Sequence, residues 1–453
     1  MKFDAAVIGG GPGGYTAAQA IAGTGRTVVL FEKNQLGGTC LNRGCIPTKA
    51  LLHTAFLYRE MEAGSSVGVT AEKVSLDFAA MQEYKNNVVN RLREGVARQM
   101  KTAKVTVVTG KAVVTGKGQI TCEGEIYEAE DIVIASGSRV SCPPIPGKDL
   151  PGVYTSDDLL EGGGLEFDSL IIIGGGVVGM ECACIYRNIG SEVTVLEAMD
   201  RILPLMDKES AQRIAMPLKK SGVKIETGAR VSEITGEPGN MTVTYTDRKG
   251  SSISVTAQGV LMAAGRRADT EGLFADGTGP ETDRGAIVGD EAGRTSIPHL
   301  YVIGDAKAGN IQLAHVAEAQ GVNVAAAIDG KPLPVDVSVV PSCVYTSPEA
   351  ASAGLSEEAA KEAGMDVVCA KYLTGANARC TIEAAGSGYV KLVADRETLR
   401  LLGVQMVCPR ATDLISEAAL AILKGLTVKD LASVIHPHPT FSEMIHGAAL
   451  QLL

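Results

Sequence analysis

Ala5-Ala-Val-Ile-Gly9-Gly-Gly11-Pro-Gly13-Gly14 sets four apolar residues against a glycine-rich turn, and a helix-like stretch follows from Tyr15 to Ala22. Strand, Gly-x-Gly-x-x-Gly and helix in that order form the context in which this motif binds a dinucleotide. Gly9 allows the tight turn, Gly11 admits a pyrophosphate close to the backbone, and Gly14 lets helix and strand pack together. The helix N-terminus then receives the phosphates. A second strand, Thr27–Phe31, ends at Glu32, 18 residues beyond Gly14. A carboxylate there accepts hydrogen bonds from an adenosine ribose.

The pattern recurs. Leu170–Ile173 leads into Gly174-Gly-Gly176-Val-Val-Gly179, a helix is expected from Met180, and the strand Glu192–Leu196 ends at Glu197, again 18 residues past the last glycine. Two working units imply two nucleotide cofactors with electron transfer between them; the alternative is one site and one degenerate copy. Glu197 would repel a 2′-phosphate, which favours NAD over NADP, with Arg201 close by in the chain.

Between the units lies Gly37-Gly38-Thr39-Cys40-Leu-Asn-Arg-Gly-Cys45-Ile-Pro-Thr-Lys49. The cysteine spacing is too wide for a CxxC motif. Just over one helical turn can bring two such sulfurs within disulfide distance, provided the first sits at the frayed N-terminal end. Free N–H groups and the helix dipole there would favour a thiolate. Two unrelated buried thiols are the plainer alternative. The glycine-rich turn, the preceding nucleotide unit and the nearby Lys49 weigh against it.

Composition bounds the rest. A chain of 453 residues, 45% hydrophobic, with 53 glycines and no tryptophan, suits several α/β domains rich in tight turns. A net charge of −10 gives no basic footprint for nucleic acid. Apolar runs are short and glycine-broken, so no membrane span is expected. No cluster suggests a metal site. The N-terminus runs straight into a strand without signal-peptide features, and the ten cysteines make no secreted scaffold, so a reducing cytoplasm is expected.

Asp77 to Lys104 reads as helical, and Val105 to Ile134 as strands ending at Ala135-Ser136-Gly137-Ser138. Val260–Ala264 closes at Gly265. Leu300–Ile303 ends at Gly304-Asp305, an acid placed either to bond a cofactor polyol or merely to make a turn. Val339–Tyr345, Tyr389–Ala394 and Leu401–Val407 read as antiparallel strands. Thr412–Lys424 reads as an amphipathic helix for core or subunit contact. The tail carries His436-Pro-His438-Pro-Thr440-Phe-Ser-Glu443. An imidazole suits proton transfer near neutral pH, and a carboxylate can orient it. Taken alone, the same residues also read as a surface histidine in a proline turn.

In this order, the two glycine turns, Cys40–Cys45, Gly304-Asp305 and the His438–Glu443 tail make the chain resemble the flavin- and pyridine-nucleotide-dependent disulfide oxidoreductases from end to end. Cys-Leu-Asn-Arg-Gly-Cys-Ile-Pro-Thr-Lys and His-Pro-Thr-Phe-Ser-Glu are its most specific strings. The resemblance is strongest to members that oxidise protein-bound dihydrolipoamide and reduce NAD. It implies an α/β fold of two Rossmann-like dinucleotide-binding domains plus a C-terminal α+β dimerisation domain with an antiparallel sheet. The boundaries expected are 1–145 and 268–334 for FAD, 146–267 for NAD, and 335–453 for the dimer interface.

It further implies that Gly9, Gly11, Gly14, Glu32, Lys33, Gly38, Thr39, Lys49, Ala112, Ala135, Ser136, Gly137, Asp305, Gln312, Leu313, Ala314 and His315 hold FAD. Gly174, Gly176, Gly179, Glu181, Glu197 and Gly265 would hold NAD. Cys45 would be the thiolate facing the flavin and Cys40 the sulfur that exchanges with substrate. Lys49 would pair with Glu181 beside the flavin. His438, steadied by Glu443, would be the general base, donated across a homodimer interface. A lipoyl-bearing subunit of a 2-oxoacid dehydrogenase or glycine-cleavage complex is the implied partner.

The chain departs from relatives at Val177, where several carry a tyrosine lid, and it lacks the terminal cysteine pair of a mercuric reductase. The rival reading is an NAD(P)H-dependent reductase of another small disulfide, against which Glu197 argues. Cys182 and Cys184 read as helix-packing thiols.

Overall fold

The computed structural model describes all 453 residues. Its first sheet has the strand order Thr106–Thr109, Val28–Glu32, Lys2–Ile8, Glu125–Ile134, Gln119–Cys122, Ala112–Gly116, with Leu300–Val302 also paired to Glu125–Ile134. Glu125–Ile134 shows how pattern becomes position. Its first half mixes exposed and buried residues where it pairs antiparallel with Gln119–Cys122. Its last four residues are all buried, between parallel partners on either side. Continuous burial is what a central parallel strand requires.

Because Leu300–Val302 completes this sheet, the chain leaves the first unit, builds the second and returns. The crossing is marked by an antiparallel pair, Ser138–Val140 with Arg266–Ala268. The returning helix, Ala314–Ile328, packs on the first nucleotide helix, Pro12–Ala22. Their backbones approach so closely that a Cβ on Gly321 would lie 2.7 Å from the Gly13 carbonyl oxygen.

The second sheet is wholly parallel, in the order Lys224–Thr227, Glu192–Glu197, Ser169–Ile173, Gly259–Met262, Val153–Thr155. A separate antiparallel meander, Arg230–Glu237, Asn240–Thr246 and Ser252–Ala257, packs beside it; the sequence reading missed it. Both nucleotide helices start three residues before the expected points, at Pro12 and Val177. The residues that read as turn already form the first helical turn, which Pro12 suits because its missing N–H has no intrahelical partner there.

The last third forms a five-stranded antiparallel sheet: Ser342–Val344, Glu349–Gly354, Leu401–Cys408, Tyr389–Asp395, Val367–Leu373. Three of these strands were expected. Helix Ala411–Leu423 covers the sheet through Ile415, Ala418, Ala421 and Ile422. A buried ion pair, Lys391 Nζ to Asp207 Oδ2 at 2.9 Å, ties this sheet to the second unit, and Tyr389 and Ser210 hydroxyls meet beside it at 2.9 Å. No helix is long and apolar enough to cross a membrane.

Candidate active site

The two cysteines occupy different helices. Cys40 lies within Gly38–Arg43, Gly44 breaks the chain direction, and Cys45 opens the helix Cys45–Ala63. The helix end that favours a thiolate therefore belongs to Cys45, not to Cys40 as the spacing suggested. A hydrogen bond from the Cys40 thiol, with Lys49 assisting, lowers the Cys45 thiol to about 7. The same bond, with burial, raises the Cys40 thiol. Cys45 is the exposed member of the pair.

Gly38 sets where this happens. It has a φ of +57°, and a Cβ there would lie 2.6 Å from the Gly11 Cα. The cysteine segment thus begins directly against the first nucleotide turn, a contact only glycine permits.

Lys49 lies one turn after Cys45 on the same helix face. Its Nζ donates to both Glu181 oxygens, at 2.8 and 3.0 Å, and sits 4.4 Å from the centre of the Tyr345 ring. Glu181 is buried on the second nucleotide helix and also accepts the Tyr345 N–H at 3.1 Å. One ion pair thereby joins the cysteine helix, the second unit and the C-terminal sheet.

In the first turn, Glu32 Oε2 accepts the Gly10 N–H at 2.8 Å and Oε1 the Asn34 N–H at 2.8 Å. In the second, Glu197 Oε2 accepts from Gly175 at 2.6 Å and Oε1 from Met199 at 2.7 Å. A Cβ on Gly14 would overlap the Gly9 carbonyl oxygen, and one on Gly179 the Gly174 carbonyl oxygen. Gly11 and Gly176 cap the two helices without a side chain over either turn. Arg201 turns aside and donates to the Pro204 carbonyl at 3.4 Å.

The remaining expected residues are placed as follows. Ala135–Gly137 follows the central strand, with the Ala135 carbonyl against Gly9. Ala112 is buried two residues beyond Gly110, whose N–H donates to the Glu32 carbonyl at 3.0 Å. Lys33 pairs with Asp269 at 2.6 Å. Leu313 caps the helix beginning at Ala314, Gln312 and His315 are exposed, and His315 Nε2 donates to the Pro341 carbonyl at 2.9 Å. Gly265 has a left-handed φ of +104° at the return crossing.

Asp305 is drawn into a chain the sequence did not disclose. Ser138 Oγ donates to Asp305 Oδ2 at 2.6 Å, and Arg266 donates to Ser138 Oγ at 2.8 Å and to Thr39 Oγ1 at 3.4 Å. Burial raises the Asp305 carboxyl above its usual range. Arg266, Ser138 and Tyr345 were missed because their partners lie more than a hundred residues away, and no local motif marks them. Next to this chain, Ser136 Oγ is buried without a partner. A buried orphan hydroxyl, a half-buried acid and a turn stripped of side chains fit a polar, extended dinucleotide in the first unit.

His438 is far more exposed, with a 70% accessible side chain. Its Nδ1 lies 2.9 Å from Glu443 Oε1, and Glu443 Oε2 accepts the Thr440 N–H at 2.8 Å. The Thr440 amide and then His438 hold the Glu443 carboxyl below its usual range. Cys182 and Cys184 are buried in the second nucleotide helix, and burial pushes both thiols up to about 12.

Two linked nucleotide folds, a polarised cysteine pair at the first and an oriented imidazole define a dithiol–disulfide redox protein. The chain belongs to the pyridine nucleotide-disulphide oxidoreductase family, which it matches over residues 3–321, and it carries that family's dimerisation domain over residues 340–449. It is 40% identical to a dihydrolipoyl dehydrogenase of Bacillus subtilis, across 99% of this chain and 98% of that one. The dihydrolipoyl dehydrogenase of Geobacillus stearothermophilus is 38% identical, across 99% and 96%. Among solved structures, the Cu(II) complex of the HOCl-induced flavoprotein disulfide reductase RclA from Escherichia coli superposes with a TM-score of 0.89 at 30% identity, covering 100% of this chain and 99% of that one.

Proposed function

We propose that the protein oxidises protein-bound dihydrolipoamide to lipoamide and reduces NAD, working through a Cys40–Cys45 disulfide and FAD. The observation that carries this reading is the unequal cysteine pair, an exposed low-pKa thiol beside a raised one at the first nucleotide turn. The residues of 1–145 and 268–334 would hold FAD, those of 146–267 NAD, and 335–453 would pair two subunits. Ser136 and Asp305 would meet the polar chain of FAD, Glu32 its ribose, and Glu197 the ribose of NAD. FAD, when bound, supplies a two-electron relay from the dithiol to NAD.

His438 of one subunit takes a proton from a substrate thiol in the other. The thiolate attacks Cys40, the Cys40–Cys45 bond breaks, and Cys45 leaves as a thiolate beside Lys49. The second substrate thiol then attacks the mixed disulfide, releasing lipoamide and Cys40 as a thiol. Glu443 holds the His438 ring by Nδ1, leaving Nε2 for the proton. Lys49, fixed by Glu181, places positive charge next to the Cys45 sulfur.

A homodimer fits the dimerisation domain and the exposed His438, which needs a neighbour to face. A lipoyl-bearing subunit of a 2-oxoacid dehydrogenase or glycine-cleavage complex would present the substrate. The cytoplasm is the proposed compartment, since no structural disulfide ties the fold. Anaerobic titration of the yellow protein with dihydrolipoamide, followed by NAD, tests the whole reading. A long-wavelength thiolate–flavin band and then NADH are expected. A band with NADH but none with dihydrolipoamide would transfer the activity to another small disulfide; no band from either would refute the cysteine assignment.

A further inference from the structure

That mechanism leaves one buried histidine of the tail unused. His436 stands two residues before His438, and only 5% of its side chain is accessible. Each ring nitrogen faces an oxygen. Nδ1 donates to the Val434 carbonyl at 3.1 Å, and Nε2 lies 3.1 Å from Glu417 Oε1 on helix Ala411–Leu423. The ring stacks on His446, with centroids 5.2 Å and planes 26° apart, and His446 Nε2 donates to the Ala432 carbonyl at 3.1 Å.

Glu443 and His446 share one face of helix Glu443–Leu450, three residues apart. That face holds both tail histidines: Glu443 takes His438, and His446 takes His436. On the far side the chain is bare, with Val434 and Ile435 52% and 93% exposed. On the near side Thr440 is fixed by Asn377, whose Nδ2 donates to its carbonyl at 2.9 Å. His436 is therefore the upstream anchor of the strap that presents His438.

We propose that His436 is a positioning residue for His438. It bolts the start of the strap to two helices through Glu417 and His446, so that Nε2 of His438 keeps one direction. The inference rests on the reading of His438 as the base. It adds that proton transfer depends on a second imidazole that never meets substrate. Misplacement of a reacting group by about 1 Å can cost roughly a hundredfold in rate. Loss of one of two anchors should cost part of that. Besides Glu417 and His446, the titratable groups around His436 are His438 and Glu443 across Pro437.

The test is the rate of Cys40 alkylation by iodoacetamide in the NADH-reduced dimer, followed against pH by mass spectrometry. NADH–ferricyanide turnover, which bypasses the base, is measured in parallel. His436→Ala should alkylate about tenfold more slowly near neutral pH, with a displaced midpoint in the direction given by His438→Ala, while ferricyanide turnover stays within about twofold. His436→Gln, which can still donate to Glu417, should recover part of the rate. Glu417→Gln, which keeps the ring, should lose two- to threefold and carries the comparison should His436→Ala fail to fold. A folded, dimeric His436→Ala with the parental rate and midpoint overturns the inference, as does an equal fall in both measurements. A parental rate in His438→Ala would refute the base assignment itself, and the inference with it.

Discussion

In the first nucleotide unit Glu32 accepts from Gly10 and Asn34; in the second, Glu197 accepts from Gly175 and Met199, and all four distances fall between 2.6 and 2.8 Å. The turns differ in what surrounds them. The first is backed by the cysteine segment at Gly38 and by helix Ala314–Ile328, whose Gln320 accepts the Gly304 N–H at 2.8 Å. Asp305, Ser138 and Arg266 close a third side. The second opens to solvent: Val177 and Val178, at the start of its helix, are 40% and 39% exposed. The same motif thus sits in an enclosed setting in the first unit and an open one in the second, as the proposed FAD and NAD sites would require. On that proposal enclosure, not the glycine code, would set residence time.

The hardest test of that difference is a methyl group in each turn. Gly14→Ala and Gly179→Ala create equivalent collisions with the carbonyls of Gly9 and Gly174. Overpacking of this kind costs about 1–3 kcal/mol, more where backbone must shift. Gly14 lies under the enclosed site, so its variant should purify largely without flavin and melt markedly lower. Gly179→Ala should keep its flavin spectrum and lose affinity for NAD by about a hundredfold, as about 3 kcal/mol implies. Equal flavin loss in both variants would erase the distinction.

Lys49 tests the seam between the units. Lys49→Met leaves Glu181 buried with the Tyr345 N–H as its remaining donor. Stranding a buried carboxylate costs several kcal/mol, less where one partner is partly exposed, so about 2 kcal/mol is expected in thermal unfolding. The same variant should alter the redox pair. With its pKa lowered to about 7 by Cys40 and then Lys49, Cys45 is thiolate above that pH and protonated below it. The long-wavelength band of the NADH-reduced protein should therefore fade as pH drops through about 7. In Lys49→Met that midpoint should move up. An unmoved midpoint would strike Lys49 from the causes and leave the Cys40 hydrogen bond and the helix end.

The glycine turns, the acids at the ends of the strands that follow and the cysteine string were legible in sequence because each is a short local pattern. What stayed hidden was long-range. Leu300–Val302 reads as a strand, but its own residues do not say that it joins a sheet begun at Lys2; only the family resemblance, with 268–334 returning to the first unit, implied that. Arg266, just past the strand that closes at Gly265, carries no local mark, although it bridges Ser138 and Thr39. In the meander of residues 230–257 only Arg230–Glu237 lacks a period of two; Asn240–Thr246 and Ser252–Ala257 alternate and were open to reading, but their pairing with each other was not marked. The cysteine pair shows the limit most clearly. Spacing suggested one helix with Cys40 at its end, and a single glycine, Gly44, puts a new helix start at Cys45, the residue the family resemblance had made the thiolate.

The smallest expected effect divides the two units most finely. Glu32→Gln and Glu197→Gln are isosteric, and each replaces an acceptor-only carboxylate with an amide that can keep one of its two backbone N–H bonds. Hydrogen bonds to a charged group are worth about 1.5–3 kcal/mol and neutral ones about half as much, so each exchange should cost about 1 kcal/mol of nucleotide binding. In the enclosed unit that loss is one among many contacts, so Glu32→Gln should still purify yellow, and only flavin release under mild denaturant should quicken. In the open unit few other groups share the load, so Glu197→Gln should raise the NAD Kd by about fivefold. Removing the negative charge should also narrow the preference for NAD over NADP, because repulsion of a 2′-phosphate disappears while the acceptor geometry stays. A Glu197→Gln protein with unchanged selectivity would place that discrimination elsewhere. A Glu32→Gln protein that loses its flavin outright would mean that the first turn, for all its enclosure, depends on one carboxylate as much as the second does.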